Sequence, residues 1–365
     1  MAELAWHSVN VFHHDPDRTG LLLGAVRPLV RAVAPAVSTV YFVPHWRRGP
    51  HVRIPILATE STFDDVVVPA VREIVGGYLR EHSSATVLDE RAAAVEHARL
   101  AVEERERGPL TPWAANNSVE FDTHDRREHV LGEPASELLA GYYADTNDIV
   151  FDMLEWTRLG GSRIALAVDL FISAAHRFLP PITYGYMSFR GHADAFLAKQ
   201  PDVVRDRFED VYLANADRIR RRVVEITAED GAAVPFGALL DVLRQYRNQA
   251  NELITAGALV LNADEDGNAE PWGSRWGGWS DRSEFHRTLG GHRAAAETLG
   301  GWNVFQQYRI VLNWLYLNLY RLGLGEAERN LVCHLVSRAV EDVHGVSAVD
   351  RIQDLISYVD SGGRL

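Results

Sequence analysis

A chain of 365 residues, 47% hydrophobic with a formal charge of −13, is long enough for one large domain or two ordinary ones and apolar enough to bury a real core. Its acidic balance argues against a nucleic-acid partner, which calls for a basic face, so any anionic partner has to meet a local patch. A single cysteine excludes an internal disulfide, and Cys333, in the apolar run "LVCHLV", reads as a buried thiol in a reducing cytoplasm.

In chain order, "WHSVNVFHH" alternates with period two and reads as a strand, and "DPDRTG" breaks it. "LLLGAVRPLVRAVAP" reads as a helix ending near Pro35. "STVYFVPHWRRGPHVRIPILA" reads as two strands joined at Gly49-Pro50, and "TFDDVVVPAVREIVGGYLREH" as a helix with a threonine cap. This β-α-β-β-α order fits a ferredoxin-like unit, an antiparallel sheet with helices, so the fold class is α+β. The organisation expected is a ferredoxin-like region over 1–108, a strap or boundary over 109–132, and a mainly helical region over 133–365 with room for a second small sheet. Within the last, "SRIALAVDLFISAAHRFL" is apolar nearly all round and should be a central helix. It is too short, and interrupted by Asp169, to span a bilayer; no signal peptide is evident, so the reading is cytoplasmic with no membrane partner. "NADEDGNAEPWGSRWGGWSDRSEF" reads as a long exposed loop, and "WNVFQQYRIVLNWLYLNLYRLGL" and "EAERNLVCHLVSRAVEDV" as closing helices.

Several segments carry candidate chemistry. "YFVPHWRRGPHVRI" concentrates Trp46, Arg47, Arg48, His51 and Arg53 on one hairpin of an acidic chain. Fifteen histidines are scattered without a zinc signature, and no glycine-rich strand-to-helix loop appears, so neither a metal nor a nucleotide cofactor is expected. "MSFRGHADAF" crowds Ser188, Arg190, His192 and Asp194 together. Either these face a cleft, or Ser188 caps a helix beginning at Phe189 with Asp194 solvated. On the penultimate helix, Tyr308, Asn313, Tyr316, Asn318 and Tyr320 are polar groups among apolar neighbours. A peptide substrate rich in amides would satisfy them, as would backbone carbonyls.

The hairpin "HWRRGPHVR", with "GPLTPWAANNSVEF", "SFRGHADAF" and "LNWLYLNLYRLGL", resembles the thiopeptide-type domain of split lantibiotic dehydratases, and most of all its pyridine synthase branch. In the related glutamate-eliminating domains the C-terminal helix carries a His-Met pair before Asn-Arg-Leu. Here Tyr316-Leu317 and Tyr320-Arg321-Leu322 stand at those places, so the eliminase histidine is absent. The resemblance implies formal [4+2] closure of two dehydroalanines of an azole peptide, then loss of water and of the leader peptide, without a redox cofactor. It casts Tyr316 as proton donor, His192 as a group titrating near pH 7, Arg190 as holder of an oxyanion, and Ser188 as their neighbour. Trp46, Arg47, Arg48 and His51 would read an acidic, hydrophobic leader, with Arg47 and Arg48 exposed and Arg53 structural, paired to Asp64 or Asp65. Tyr308, Asn313, Asn318 and Tyr320 would hold the core peptide, and Trp276, on a loop from Asp264 to Asp281 with Trp272 and Trp279, would stack on azoles. The implied partners are the precursor peptide, leader and modified core alike, and upstream dehydratase subunits. Two other readings are a glutamate eliminase and a non-catalytic leader-binding subunit.

Overall fold

Alternation in "LAWHSVNVF" produces strand β1 (Leu4–Phe12), the strand on which the N-terminal sheet is built. The computed structural model describes residues 3–228, 234–261 and 278–363, the Trp279 side chain excepted. These fall into two compact units, one of residues 1–160 with 320–323 and one of residues 161–319 with 324–365.

In the first unit, helix α1 (19–33) follows β1; then come β2 (Thr39–Val40), β3 (Val43–His45), β4 (His51–Thr59), helix α2 (60–81), helix α3 (Glu90–Glu103) and β5 (Ser118–Thr123). β1 runs antiparallel to β4, from Leu4 opposite Thr59 to Phe12 opposite His51, and on its other side to β5, giving the order β2-β4-β1-β5 with β3 also on β4. This is a complete β-α-β-β-α-β unit. Its closing strand comes from the stretch read in the sequence as strap or boundary, where "SVEFDT" is too short and too polar to announce itself. Both helices carry π turns, over 22–26 and 63–67, just before Pro28 and Pro69. Proline lacks the N–H and its ring crowds the carbonyl four residues back, and a wider turn relieves both. Thr59 caps α2, its Oγ1 accepting from Thr62 N at 3.2 Å.

Period two gives the sheet two unlike faces. Val9, Val11, Val52, Ile54 and Ile56 are fully buried on one, where Phe63 of α2 stacks on His7 at 4.0 Å and meets Phe121 edge-on. Each such side chain contributes roughly 1.5–3 kcal/mol by leaving water. The other face carries Trp6, Asn10, Arg53, Glu120 and Asp122. Helices α4 (Glu133–Asp145) and α5 (Asn147–Arg158) complete the unit. Arg321 is clamped into it, wholly buried: its guanidinium donates to Thr146 Oγ1 at 2.8 Å and Asn147 Oδ1 at 2.6 Å and lies 4.2 Å from the Phe42 ring centroid.

The second unit is helical throughout its described residues, and no second sheet forms among them. α6 (Arg163–Phe178), capped by Ser162, is the central helix that the apolar run called for. α7 (Ile182–Ala198) presses on it at Gly185, where a Cβ would sit 2.7 Å from Ala175 O. α8 (Asp202–Thr227), α9 (Ala238–Thr255), α10 (Glu284–Gly290), α11 (Arg293–Gly301), α12 (Asn303–Arg321), α13 (Glu326–His344) and α14 (Ala348–Asp360) follow. Among the described residues no helix is long and apolar enough to cross a membrane.

Candidate functional site

α7 begins straight after Pro181, seven residues before the start at Phe189 considered from sequence, so Ser188 is mid-helix and caps nothing. At 100° per residue, Ser188 and His192 share one face while Arg190 and Asp194 share another. The segment that looked like one cluster is therefore two. Arg190 is held by Asp194 and Glu341, each at 3.2 Å, and Asp194 is buried, not solvated. Glu341 in turn pairs with Arg338, and Arg338 with Glu209, which also meets His334 at 3.1 Å. Arg190 belongs to an ion network joining α7, α8 and α13.

The Ser188–His192 face leads to Tyr316. The His192 ring lies 5.0 Å from the Tyr316 ring, and Phe171 of α6 meets that phenol edge-on. Tyr316 Oη lies 2.7 Å from Cys333 Sγ. Burial, then the neighbouring Cys333, pushes the phenol well above its ordinary pKa, and burial lifts the thiol to about 12, so both keep their protons at neutrality. His192 retains an exposed side chain, yet desolvation, with Arg309, His286 and Arg329 nearby, lowers it to about 4. It is neutral at pH 7, contrary to titration near pH 7 expected from the sequence. The arrangement offers a protonated phenol and a neutral imidazole side by side, in the field of Arg309, itself lowered by burial only to about 10 and still charged.

Tyr308 is fully buried and donates to Gly185 O at 2.8 Å, so a backbone carbonyl satisfies it. Asn313 is exposed, Asn318 fully buried, and Tyr320 falls in the first unit, where it meets Arg18. The polar stripe read on α12 therefore does not converge on one place. Trp272 and Trp276 lie outside the described residues, as does most of the span 264–281.

The cationic hairpin turns its charges inward. Arg48, at φ 63°, grips Glu120 with two nitrogens at 2.7 and 3.1 Å and Pro112 O with its Nε. Arg47 donates to Arg107 O at 2.6 Å and lies 3.6 Å from Glu106. Arg53 is structural as expected, but its carboxylate is Glu106 at 3.9 Å rather than Asp64 or Asp65. The Glu106 side chain is only 6% exposed and also faces His45, which burial and the two arginines hold well below the usual histidine range. Trp46 Nε1 donates to Glu104 at 3.1 Å, and His51 is buried with Nδ1 at 2.9 Å from Gly49 O. Arg47 and Arg48 keep 20% and 25% side-chain exposure, not the open turn expected. The hairpin is a dock for the chain's own acidic segment from Glu104 to Asp122, and Ala114 N donating to Arg48 O at 2.9 Å ties that segment down.

Sequence reasoning passed over Glu106, and it gave Cys333, read as a buried thiol, and Arg321, placed only in the Tyr320-Arg321-Leu322 alignment, no part in the site. Cys333 and Tyr316 lie 17 residues apart on separate helices, and nothing in a linear pattern pairs them. Among the described residues no group of three or more histidine, cysteine or carboxylate side chains is placed to hold a metal ion.

The chain belongs to the family described as lantibiotic biosynthesis dehydratase C-term, whose model matches residues 6–340. Among solved structures it is similar to TbtD, a pyridine synthase from thiomuracin biosynthesis, at 33% identity and a TM-score of 0.74, covering 94% of this chain and all of that one. It also shares the fold of TsrL, at 18% identity and a TM-score of 0.68, over 97% of this chain and 99% of that one. No curated protein matches the sequence.

Proposed function

We propose that this chain is a pyridine synthase of thiopeptide maturation, joining two dehydroalanines of a leader-bearing azole peptide. The observation that carries the reading is the 33% identity to a pyridine synthase along its whole length. In this reaction one dehydroalanine, as its iminol tautomer, supplies a 2-aza-diene and the other an alkene. Two new carbon–carbon bonds, one at each end of the aza-diene, close a hydroxylated tetrahydropyridine, and loss of water followed by loss of the leader as a carboxamide gives the aromatic ring. The two eliminations supply the unsaturation, so the sequence of steps needs no oxidant or reductant.

The chain's part is to hold two flexible arms together, where orientation removes much of the barrier, and to move protons. Tyr316, protonated at neutrality, donates toward the amide that becomes the iminol. His192, neutral at neutrality, accepts a proton as water or the leader departs, and Ser188 on the same face of α7 is a further polar contact. Arg309 and Arg329 supply positive charge beside them and take the oxyanion role that the Arg190 ion network leaves vacant. Because His192 is lowered to about 4, the acidic limb of kcat/KM should fall near that value instead of near 6.5.

The family also contains dehydratase domains, so a glutamate eliminase is the rival. Purified protein incubated with a linear peptide bearing azoles and two dehydroalanines should release the leader carboxamide and a macrocycle with the pyridine, read by mass spectrometry. Release of glutamate from a glutamylated precursor, with no carboxamide from the dehydroalanine peptide, would replace this reading with the eliminase.

A further inference from the structure

β5 is the edge strand of the sheet, and its outer side opens on a cleft of about 480 Å³ beside α2. Val71, Leu79, Val119 and Phe121 line it, and Phe121 is 42% exposed. Arg72 and Arg80 stand in its wall on exposed positions, and neither makes an ion pair or a side-chain hydrogen bond among the described residues. Gly76 lies midway between them, and the Arg80 guanidinium folds back over it, its Nη1 3.4 Å from where a Cβ would sit. An uncovered edge strand offers a row of backbone donors and acceptors to another extended chain.

We propose that this cleft takes an extended acidic peptide, added to the sheet as a strand beside β5, and that in the pyridine synthase reading, on which this identification rests, the peptide is the leader. The charge argues for it: on an acidic chain the hairpin's arginines are engaged with Glu106 and Glu120, whereas Arg72 and Arg80 remain to meet carboxylates. The spacing makes it specific. Helical residues eight apart are roughly 12 Å apart along the axis, and strand residues four apart span about 13 Å. The cleft therefore selects an acidic residue, an apolar one two positions on, and a second acidic one two further, all on one face of the added strand.

The test uses the full-length protein and a fluorescein-labelled peptide repeating the pattern Glu-Thr-Leu-Thr, with two controls. In one control lysine replaces each glutamate, and in the other alternate backbone amides are N-methylated. Polarisation titrations should show binding of the first peptide, weakened about tenfold by Arg72→Gln with Arg80→Gln, as loss of two exposed charge pairs predicts, and little or no binding of either control. Unchanged affinity in the double variant removes the cleft, and equal binding of the N-methylated peptide removes strand addition. A protein that sediments as a dimer and is made monomeric by the double variant has a second copy of itself as the occupant, which overturns the proposal. With the leader-bearing dehydroalanine substrate the double variant should raise KM about tenfold. Binding through the cleft without any cyclisation by the wild type would sink the pyridine synthase reading and leave the cleft; cyclisation with unaltered KM in the variant would do the reverse.

Discussion

Two pairs of arginines flank the edge strand β5, and they differ in what is left for them to bind. Arg47 and Arg48 look toward Glu120 and Asp122 on one face of the strand and are held there by Glu106, Arg107 O and Pro112 O. Arg72 and Arg80 share a cleft with Val119 and Phe121 on the other face and pair with no carboxylate among the described residues. The first pair stands out in the sequence because its members are adjacent; the second, eight residues apart in a helix, does not. Clustering along the chain measures local charge, whereas availability depends on carboxylates that arrive from far away in the sequence, here some seventy residues on at Glu120. α7 repeats the lesson within one helix: Arg190 is engaged with Asp194 and Glu341, while His192, two residues on, faces Tyr316.

The contrast between engaged and available groups can be broken at several points. Glu106→Ala should have the largest effect, destabilising by about 3–5 kcal/mol, because it strands buried Arg53 and half-buried Arg47 beside one another. A melting temperature within a degree or two of wild type would show that the hairpin is not held by this carboxylate. Tyr316→Phe should cost on the order of 2.7–4 kcal/mol in the barrier, about a hundred- to a thousandfold in turnover, with little change in melting. Tyr308→Phe is its counterpart among satisfied groups: orphaning Gly185 O should cost roughly 1–3 kcal/mol of stability, with turnover falling only as folded protein is lost. Full turnover in a folded Tyr316→Phe protein would remove that residue from the chemistry.

Arg48→Ala should destabilise by about 2 kcal/mol, since it breaks a two-nitrogen grip on Glu120. Denaturant unfolding unchanged from wild type would mean the pair is a surface ornament and would restore the hairpin as an open patch. The smallest effect belongs to Arg72→Gln with Arg80→Gln, expected within about 0.5 kcal/mol of wild-type stability. A larger loss would mean that these arginines hold the fold, and the contrast across β5 would disappear. Acid should act on both units: His124, lowered to about 3, and His286, lowered to about 4, are kept neutral by burial. Folded pKa values below the unfolded value near 6.5 mean that stability is complete above pH 6.5 and falls as pH drops toward 4. Melting followed at pH 7, 6 and 5 should show that fall, and a flat profile would contradict burial of the neutral rings.

Much of the fold was legible because its signals are local. Alternation marked β1, the glycine–proline turn marked the β3–β4 hairpin, and an apolar run without a polar face marked α6. β5 was missed because its alternation sets Glu120 and Asp122 against Val119 and Phe121 over only six residues, a pattern that also suits an exposed loop. The start of α7 was misplaced because Ser188 has the chemistry of a cap, while the true start follows Pro181, whose fixed φ suits an entry to a helix. Of the residues singled out for the site, Tyr316 and His192 were brought together, Arg190 was turned away into an ion network, Tyr308 met a backbone carbonyl, and Trp276 lies outside the described residues.

The amino-acid sequence by itself determined the α+β class, the family and the order of most elements, because hydrophobic period, turn residues and motif spacing act over a few residues and need no distant partner. Tertiary structure alone decided which charges and protons are available. Glu106 lies between two arginines it follows by more than fifty residues, Cys333 sets its thiol against the Tyr316 phenol from another helix, and protein around His192 removes its charge at neutrality. Coulomb attraction and desolvation depend on distance in space and on the surrounding dielectric, and neither quantity is written in the order of residues along a chain.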